Sequence, residues 1–314
     1  MELTKKEIEE ISKEYSLGKV ISTKHITTGW SNFNFIFNTK KGKFIIQILG
    51  DKLDSWKKKR MNIQFKLLDY FKKNNFPYEV PKPLKNKKQK YLLKFGDKTL
   101  WVYEFVKGDS VKKINLEQFK EIAKTLAKYH KFVKNFKLKD NDFFDLNWQL
   151  EEYKKLKKIK PINKIDRLFL KNIPFFENCL KTLKKINFKQ NMILTHSDFN
   201  SENVLFKKNK IVGIIDWESS QLAPLARDIT IAIKRGNYMN KRLTKKKREI
   251  FLKEYEKINP LTKDEKKLIS PIMIKENCGL FMWMYNGMKK KDHKKVETLL
   301  DIVKQTKKLL KDLE

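Results

Sequence analysis

Apolar and polar residues alternate along the chain between residues 19 and 49. Phe33, Phe35 and Phe37 occupy every second position of one extended segment, and the short turns TTGWSN and TKKG separate this segment from its neighbours. A period of two is typical of a strand with one buried face. The pattern therefore predicts a three-stranded antiparallel meander.

A helical period follows over residues 54–74, where the apolar positions recur every three or four residues: Trp56, Met61, Leu67, Leu68 and Phe71. Beyond it, KYLLKF and TLWVYEFV predict two more strands, split by a turn at Gly96-Asp97. The first part of the chain is thus expected to be a small β-rich lobe with one helix.

After Gly108 the pattern becomes mainly helical. Asn115 and Gln118 form a capping box that opens an amphipathic helix, and Thr262 with Glu265 forms a second one. Only residues 192–218 return to strand-like runs. The predicted fold class is therefore α+β, with a β-rich N-terminal lobe over residues 1–106 and a larger helical lobe over residues 107–314.

The formal net charge of +35 over 314 residues comes almost entirely from lysine. Proteins that read nucleic acids rely on arginine, whose planar guanidinium matches bases and phosphates in two places at once. We interpret the lysines as a solvated surface, with an evolved polyanion-binding surface as the alternative. Either way, non-specific binding to nucleic acid or anionic lipid is expected at low salt, and no specific nucleic-acid partner.

The two cysteines, Cys179 and Cys278, are isolated in the sequence, which favours a reducing compartment and argues against structural zinc. The first residues lack the apolar core of a signal peptide, and no apolar run is long enough to span a bilayer. A cytoplasmic protein is expected.

Four acids and a histidine stand together in this lysine-rich chain, in the stretches THSDFNSENVLF and IIDWES. His196 and Asp198 are followed by Asn203 five residues after the aspartate, and by Asp216 after a predicted β hairpin. This spacing resembles the catalytic loop and metal-binding strand of kinases. It would place Asp198 at an acceptor hydroxyl and bring two oxygen ligands, Asn203 and Asp216, to one Mg²⁺ ion.

From about residue 15 to 290 the chain resembles the aminoglycoside phosphotransferase and choline kinase group, small-molecule kinases with a two-lobed protein-kinase-like fold. The resemblance rests on the two stretches above and on PLARD, residues 224–228. It implies ATP and Mg²⁺ as cofactors and a small hydroxyl-bearing acceptor. The stretches NFNF and PLTKDE are similar to homoserine kinases of this fold, whereas IIDWE is closer to choline kinases; an aminoglycoside or sugar acceptor is a further alternative.

The resemblance also implies a role for each site residue. Asp198 would take the proton of the attacking hydroxyl, His196 would organise the loop, Asp228 would brace it, and Glu218 would reach a second metal ion or a cationic substrate. Nucleotide contacts would come from the turn before the second strand, from the third strand and from the backbone of the connecting strand: Ser31, Asn32, Gln47, Glu104 and Val106.

Two positions depart from the family pattern. Gln47 stands where these kinases usually carry a strand lysine or arginine that grips the phosphates, and Gln64 stands where the following helix offers a glutamate to that cation. A hydrogen bond between the two glutamines is expected to replace the ion pair and to support the site. Another lysine then grips the phosphates, or the enzyme is slower, or the protein is a nucleotide-binding pseudokinase.

The helix predicted around GLFMWMYNGM lies where this family places its acceptor pocket. Core packing is expected over substrate contact for Glu276, Trp283 and Tyr285. His130, in LAKYHKF, is expected to be a packed helix residue rather than a ligand.

Overall fold

A computed structural model describes residues 2–27, 32–138, 146–189, 191–235, 245–288 and 294–311. These residues form the following elements in chain order: α1 (Lys5–Glu14), β1 (Val20–Ile26), β2 (Asn32–Thr39), β3 (Gly42–Leu49), α2 (Ser55–Lys73), β4 (Leu93–Phe95), β5 (Lys98–Glu104), β6 (Asp109–Ser110), α3 (Leu116–Val133), α4 (Leu146–Leu156), α5 (Lys164–Leu183), β7 (Met192–Thr195), β8 (Val204–Lys207), β9 (Lys210–Ile214), a 3₁₀ turn (Trp217–Ser219), β10 (Gln221–Pro224), α6 (Ala226–Arg235), α7 (Lys245–Glu256), α8 (Lys263–Met288) and α9 (Lys294–Lys311).

Internal contacts divide the chain into two compact units. The first contains Met1–Lys112 and Ser201–Ser220, and the second contains Lys113–Asn200 and Gln221–Glu314. The first unit therefore includes the β8–β9 hairpin, a segment that sequence reasoning assigned to the helical lobe. The lobe boundary after residue 106 stays a prediction.

The sheet of the first unit has five antiparallel strands in the order β1-β2-β3-β5-β4. Its first three strands are the meander that the alternating pattern predicts, and β4 and β5 are the two predicted later strands. The side chains of Phe35, Phe37 and Ile46 are buried against α1, because the period of two turns them to one face. The helix α1 begins with a capping box of Thr4 and Glu7 that the sequence analysis did not identify.

Helix α2 buries Met61, Leu67, Leu68 and Phe71, as its spacing predicts. Trp56 does not share that buried face: it is 55% exposed, and its ring lies 4.9 Å from the guanidinium of Arg60. The residue lies in the first turn of the helix, so the apolar stripe begins only at Met61. The C-terminal part of α2 contacts the 3₁₀ turn, where Phe71 meets the buried Trp217 edge-on at 4.8 Å.

A second sheet in the first unit has the strand order β6-β8-β9. The chain that follows β5 approaches it closely at two glycines. A Cβ on Gly213 would lie 2.7 Å from Val106, and one on Gly108, whose φ is +133°, would lie 2.8 Å from Leu205. Only glycine fits these positions, and the connecting strand is thereby held against the hairpin.

The second unit is mostly helical, as the sequence predicts. Both expected capping boxes form, Asn115 with Gln118 at α3 and Thr262 with Glu265 before α8. Stacked aromatic rings fill its core, with Phe169 and Tyr285 only 3.8 Å apart. A two-stranded ribbon of β7 and β10 carries the loop that begins at His196. No helix in the described ranges is both long enough and apolar enough to cross a bilayer.

Candidate active site

The loop after β7 is held by the carboxylate of Asp228, in the first turn of α6. The amides of His196 and Ser197 donate hydrogen bonds to its two oxygens, at 2.8 and 2.7 Å. Ser197 has a positive φ of 62°, which turns the chain sharply enough for both amides to face one carboxylate. The Asp228 side chain is fully buried. The geometry agrees with the bracing role that the family resemblance implies for Asp228.

His130 extends this anchor across the core of the second unit. Its Nε2 lies 3.2 Å from an oxygen of Asp228, and its Nδ1 lies 2.6 Å from the hydroxyl of Tyr255. His130 is buried on α3, as predicted. The sequence analysis did not identify its contact with Asp228, because His130, Asp228 and Tyr255 lie on three different helices and no motif joins them.

His196 is fully buried and packs edge-on against Phe199. Its Nδ1 accepts a hydrogen bond from the amide of Asp198 at 3.3 Å. The ring therefore supports the loop from inside, which fits an organising role.

Asp198 presents its carboxylate on the outer side of the same loop, where about one fifth of the side chain is exposed. Asn200 donates to its Oδ1 at 3.1 Å, and Arg235 at the end of α6 also bonds to that oxygen. Asp198 is thus oriented by neighbours from its own loop and from α6, both within the second unit.

Asn203 and Asp216 belong to the first unit and flank the same end of the β8–β9 hairpin. Val204 pairs with Ile214 in the ladder, and the amide of Ile215 donates to the carbonyl of Asn203 at 2.9 Å. Asp216 adopts the left-handed conformation, with φ 64° and ψ 60°, just before the 3₁₀ turn. An amide oxygen and a carboxylate at one hairpin end suit Mg²⁺, which prefers oxygen ligands and keeps several waters. Neither residue belongs to a cluster of three or more His, Cys, Asp and Glu, and the described ranges contain no such cluster.

Glu218 is the centre of a polar group within the first unit. Its Oε2 accepts a hydrogen bond from Asn32 at 2.8 Å and lies 3.5 Å from the ammonium of Lys57, whose side chain is 12% exposed. Arg60 donates to the carbonyl of Glu218 through two nitrogens, at 3.1 and 2.9 Å. Lys57 and Arg60 both lie on α2, so this helix places two cations beside the Asp216 segment. Sequence reasoning did not identify either cation as part of the site.

The expected hydrogen bond between Gln47 and Gln64 is not formed. Gln47 instead accepts a hydrogen bond from the indole nitrogen of Trp101 at 2.6 Å, because Trp101 is its partner on the neighbouring strand. Gln64 is buried, and its Oε1 has no partner within the described ranges. The position of the usual ion pair is therefore occupied by two neutral amides with no hydrogen bond between them.

The backbone of the connecting strand was predicted to contact adenine through Glu104 and Val106, and this stays a prediction. The amide of Glu104 donates to the backbone carbonyl of Lys82, and the amide of Phe105 donates to that of Lys43. The Val106 amide has no hydrogen bond within the described ranges. Ser31, the other predicted nucleotide contact besides Asn32 and Gln47, lies outside the described residues.

A cluster of charged side chains connects α6 and α8 in the second unit. Arg227 donates to Oε1 of Glu276 at 2.8 Å and to the hydroxyl of Ser197 at 2.6 Å, and the ammonium of Lys275 lies 3.6 Å from the same Oε1. Burial by itself raises the pKa of Glu276, but Arg227, Lys275 and Lys234 outweigh it and lower the pKa to about 2. Burial also lowers the pKa of Lys234 to about 8.

Tyr285 and Trp283 on the same helix were also expected to pack in the core, and of these two Tyr285 does. Tyr285 is buried, stacks on Phe169 and donates to Asp166 at 2.8 Å. Trp283 is 53% exposed, so the core-packing prediction is wrong for it. The two positions are two apart on a helix, about 200° around the axis, and cannot share one face.

A sequence model of the phosphotransferase enzyme family, APH, matches residues 22–261, which is more than half of the chain. The chain belongs to this family. Membership confirms the resemblance that the THSDFNSENVLF and IIDWES stretches indicated.

Curated relatives of this chain carry the name homoserine kinase. Those of Zymomonas mobilis, Bartonella henselae and Paramagnetospirillum magneticum are 23%, 22% and 21% identical to this chain. The alignments cover 68%, 79% and 84% of this chain and 64%, 75% and 80% of the respective relatives. The chain thus matches less than two thirds of the Zymomonas protein.

Solved structures confirm the protein-kinase-like fold of this chain. An amicoumacin kinase with AMP-PNP, Ca²⁺ and Ami has a TM-score of 0.72 at 15% identity, covering 95% of this chain and 91% of that one. A microcompartment-associated aminopropanol kinase has a TM-score of 0.70 at 12% identity, with coverages of 95% and 94%. Spectinomycin phosphotransferase with ADP and spectinomycin has a TM-score of 0.62 at 17% identity, covering 98% of this chain and 95% of that one. At these identities the likeness shows the fold alone.

Replacing Asp228 by Asn is expected to destabilise the protein by about 2–3 kcal/mol. One loop amide would then face an NH₂ group instead of an oxygen and lose its acceptor. Urea unfolding would measure the change, with Asp264→Asn in the exposed first turn of α8 as the matched control. Equal losses in the two variants would contradict the anchoring role.

Replacing Glu276 by Gln is expected to lower the free energy of unfolding by about 3 kcal/mol near neutral pH, because three cations lose their shared counter-charge. The folded pKa of about 2 lies below the ordinary 4.5, so the contribution of Glu276 is complete above the ordinary value and is lost as the pH falls towards 2. Urea unfolding of both proteins over this pH range would show the difference shrinking; a constant difference would refute the charge explanation.

Proposed function

We propose that this protein transfers the γ-phosphate of ATP to a hydroxyl group of a small molecule. The observation that carries the proposal is the loop that begins at His196. The amides of His196 and Ser197 both donate to Asp228, and Asp198 presents its carboxylate on the outer side of the loop. An amino alcohol such as homoserine or choline is the favoured acceptor. The relatives named homoserine kinase support the former.

Asp198 takes the proton of the acceptor hydroxyl in this proposal. The hydroxyl oxygen forms a bond to the γ-phosphorus, the bond from that phosphorus to the bridging oxygen breaks, and ADP leaves with the electron pair. Asn200 and Arg235 orient the carboxylate that receives the proton. His196 acts through the loop and does not meet the reacting atoms, since it is fully buried.

Asn203 and Asp216 would hold Mg²⁺, because the hairpin brings an amide oxygen and a carboxylate to one end of its ladder. The ion would neutralise negative charge on the triphosphate. The backbone of Glu104 to Val106 would bind the adenine edge, with the Val106 amide as donor.

Lys57 would replace the strand cation that this family usually carries at the position of Gln47. Its ammonium is held by Glu218, two residues after Asp216, and its side chain is largely buried. An ammonium group on α2 can neutralise phosphate charge in place of a lysine on β3. Arg60 contributes by fixing the backbone of Glu218.

A nucleotide-binding pseudokinase is the second candidate. The specific observation in its favour is the pair of neutral amides, Gln47 and Gln64, which form no hydrogen bond with each other at the place where family members usually carry an ion pair. ATP binding without transfer to any acceptor would support this alternative.

Asp198→Asn is expected to reduce the rate of transfer by roughly 10²–10⁴, the range usual for a general base. ADP release would be measured with Mg·ATP and a panel of homoserine, choline, ethanolamine, aminopropanol and kanamycin. Asp97→Asn, in the exposed turn between β4 and β5, is the control. An acceptor-dependent activity that is unchanged in Asp198→Asn would contradict the assignment of Asp198 as the general base.

Lys57→Met is expected to lower kcat/KM for ATP by roughly tenfold to a hundredfold, since a charged contact to phosphate is lost. Lys58→Met is the matched control, because Lys58 is the adjacent, exposed lysine of the same helix. If both variants retain the wild-type value, another group neutralises the phosphates.

A further inference from the structure

A groove lies between α1 and the first residues of β1, within the first unit of the structure. Its volume is about 780 Å³, which is in the size range of ligand sites. Ile8 and Ser12 of α1 line it, and so do Val20 and Ile21 of β1. Ile21 is 68% exposed, so an apolar side chain lies open to solvent in the wall of the groove. No residue assigned to nucleotide, metal or acceptor chemistry is among those that line it.

The strand β1 is an edge of the five-stranded sheet, and among the described residues it pairs with β2 alone. The amide of Phe105 donates to the carbonyl of Lys43, so Lys43 and every second residue after it on β3 face β5. Through the registers of β3 with β2 and of β2 with β1, this alternation directs the amides and carbonyls of Thr23 and His25 away from β2. The edge therefore offers backbone donors and acceptors to one more strand.

The start of β1 is open on its faces as well as at its edge. Ile21, Ser22, Thr23 and Lys24 are four successive exposed residues, although successive residues of a strand point to opposite faces. Exposed edges are templates for pairing with other chains, and proteins often place lysine on them for this reason. The edge carries Lys24, and Lys19 directly precedes the strand. This charge opposes neutral and basic strands, whereas a strand with carboxylates would compensate it.

Positive charge surrounds the groove. Lys5 and Lys13 of α1, Lys19, and Lys41 of the turn between β2 and β3 are among the lining residues, and Glu9 is the one acid among those that the structure describes there. Within the described ranges the side chains of Lys5, Lys13 and Lys19 form no hydrogen bond or ion pair. A ligand in the groove would thus gain from carrying negative charge.

We propose that this groove binds an extended acidic segment of a partner protein, which adds to the sheet as a further strand along the edge of β1. The backbone of the segment pairs with Thr23 and His25, an apolar side chain covers Ile21, and its carboxylates meet Lys13 and Lys19. The surface goes beyond the proposed phosphotransferase function, because it shares no residue with the candidate active site.

The observations favour an acidic peptide over two other occupants. A second copy of this chain would bring two lysine-lined edges together, in a protein whose net charge is +35. Single-stranded nucleic acid is usually bound by stacking on aromatic rings and by arginine, and neither an aromatic residue nor an arginine is among the described residues that line the groove. An edge with free backbone groups is instead what an extended peptide recognises.

Labelled peptides test the addition of a strand. Fluorescence anisotropy of the full-length protein would be measured at physiological salt with a peptide of alternating glutamate and valine, as long as the seven-residue β1. One matched peptide has glutamine in place of glutamate. Another carries N-methyl groups on its amides, which keep the charge and remove the backbone donors. Both are expected to bind at least about tenfold more weakly than the glutamate peptide, the effect of about one charged or several neutral hydrogen bonds.

Variants locate the site on the protein. Thr23→Pro removes an amide that faces away from β2, so it is expected to weaken the glutamate peptide at least about tenfold while the β1–β2 ladder stays intact. Thr23→Val retains that amide and is the control. Reversing the charge of Lys13 and Lys19 together to Glu is expected to weaken the peptide by a similar factor. The matched reversal is Lys72→Glu with Lys73→Glu, in the exposed last turn of α2.

Several outcomes would overturn the proposal: no binding of the glutamate peptide at millimolar concentration, equal binding of the N-methylated peptide, or equal losses in the two charge-reversed variants. Displacement of the peptide by oligothymidylate, with Thr23→Pro unaffected, would show a surface for nucleic acid instead. Circular dichroism would confirm that each variant is folded; if Thr23→Pro is not, the N-methylated peptide and the charge variants decide. The measurement needs no phosphoryl transfer, so its result is independent of the proposed function.

Discussion

The buried carboxylate of Asp228 is the interaction on which the candidate catalytic loop depends. Its two oxygens accept the amides of two successive residues, and His130 approaches it from a third element. Backbone amides that are buried without acceptors cost free energy, so the loop adopts the one shape in which both are satisfied. That shape turns His196 inwards and Asp198 outwards, so the position of Asp198 follows from the hydrogen bonds to Asp228.

Charge is distributed differently in the two units. In the first unit, neutral amides occupy the usual place of an ion pair, and the cations next to Glu218 come from α2. In the second unit, three cations share Glu276 beside the loop of Asp198.

Much of the architecture was predictable because it depends on local order. The period of two over residues 32–39 and the capping box of Asn115 and Gln118 are properties of neighbouring residues, and both elements form as expected. Trp56 and Trp283 were assigned to buried positions and are exposed. Helical spacing alone does not tell which side of a helix has something to pack against.

The sequence by itself determined the family, the offset between Asp198, Asn203 and Asp216, and the absence of a lysine at Gln47. Only the tertiary structure decided what surrounds them: Trp101 as the partner of Gln47, Lys57 as the cation at Glu218, and Arg227 with Lys275 as the partners of Glu276. In most of these pairs the residues are tens of positions apart in sequence, and Lys57 and Glu218 are separated by 161. In a chain with so many lysines, pairing is set by which helix faces pack together, and spacing along the sequence does not determine it.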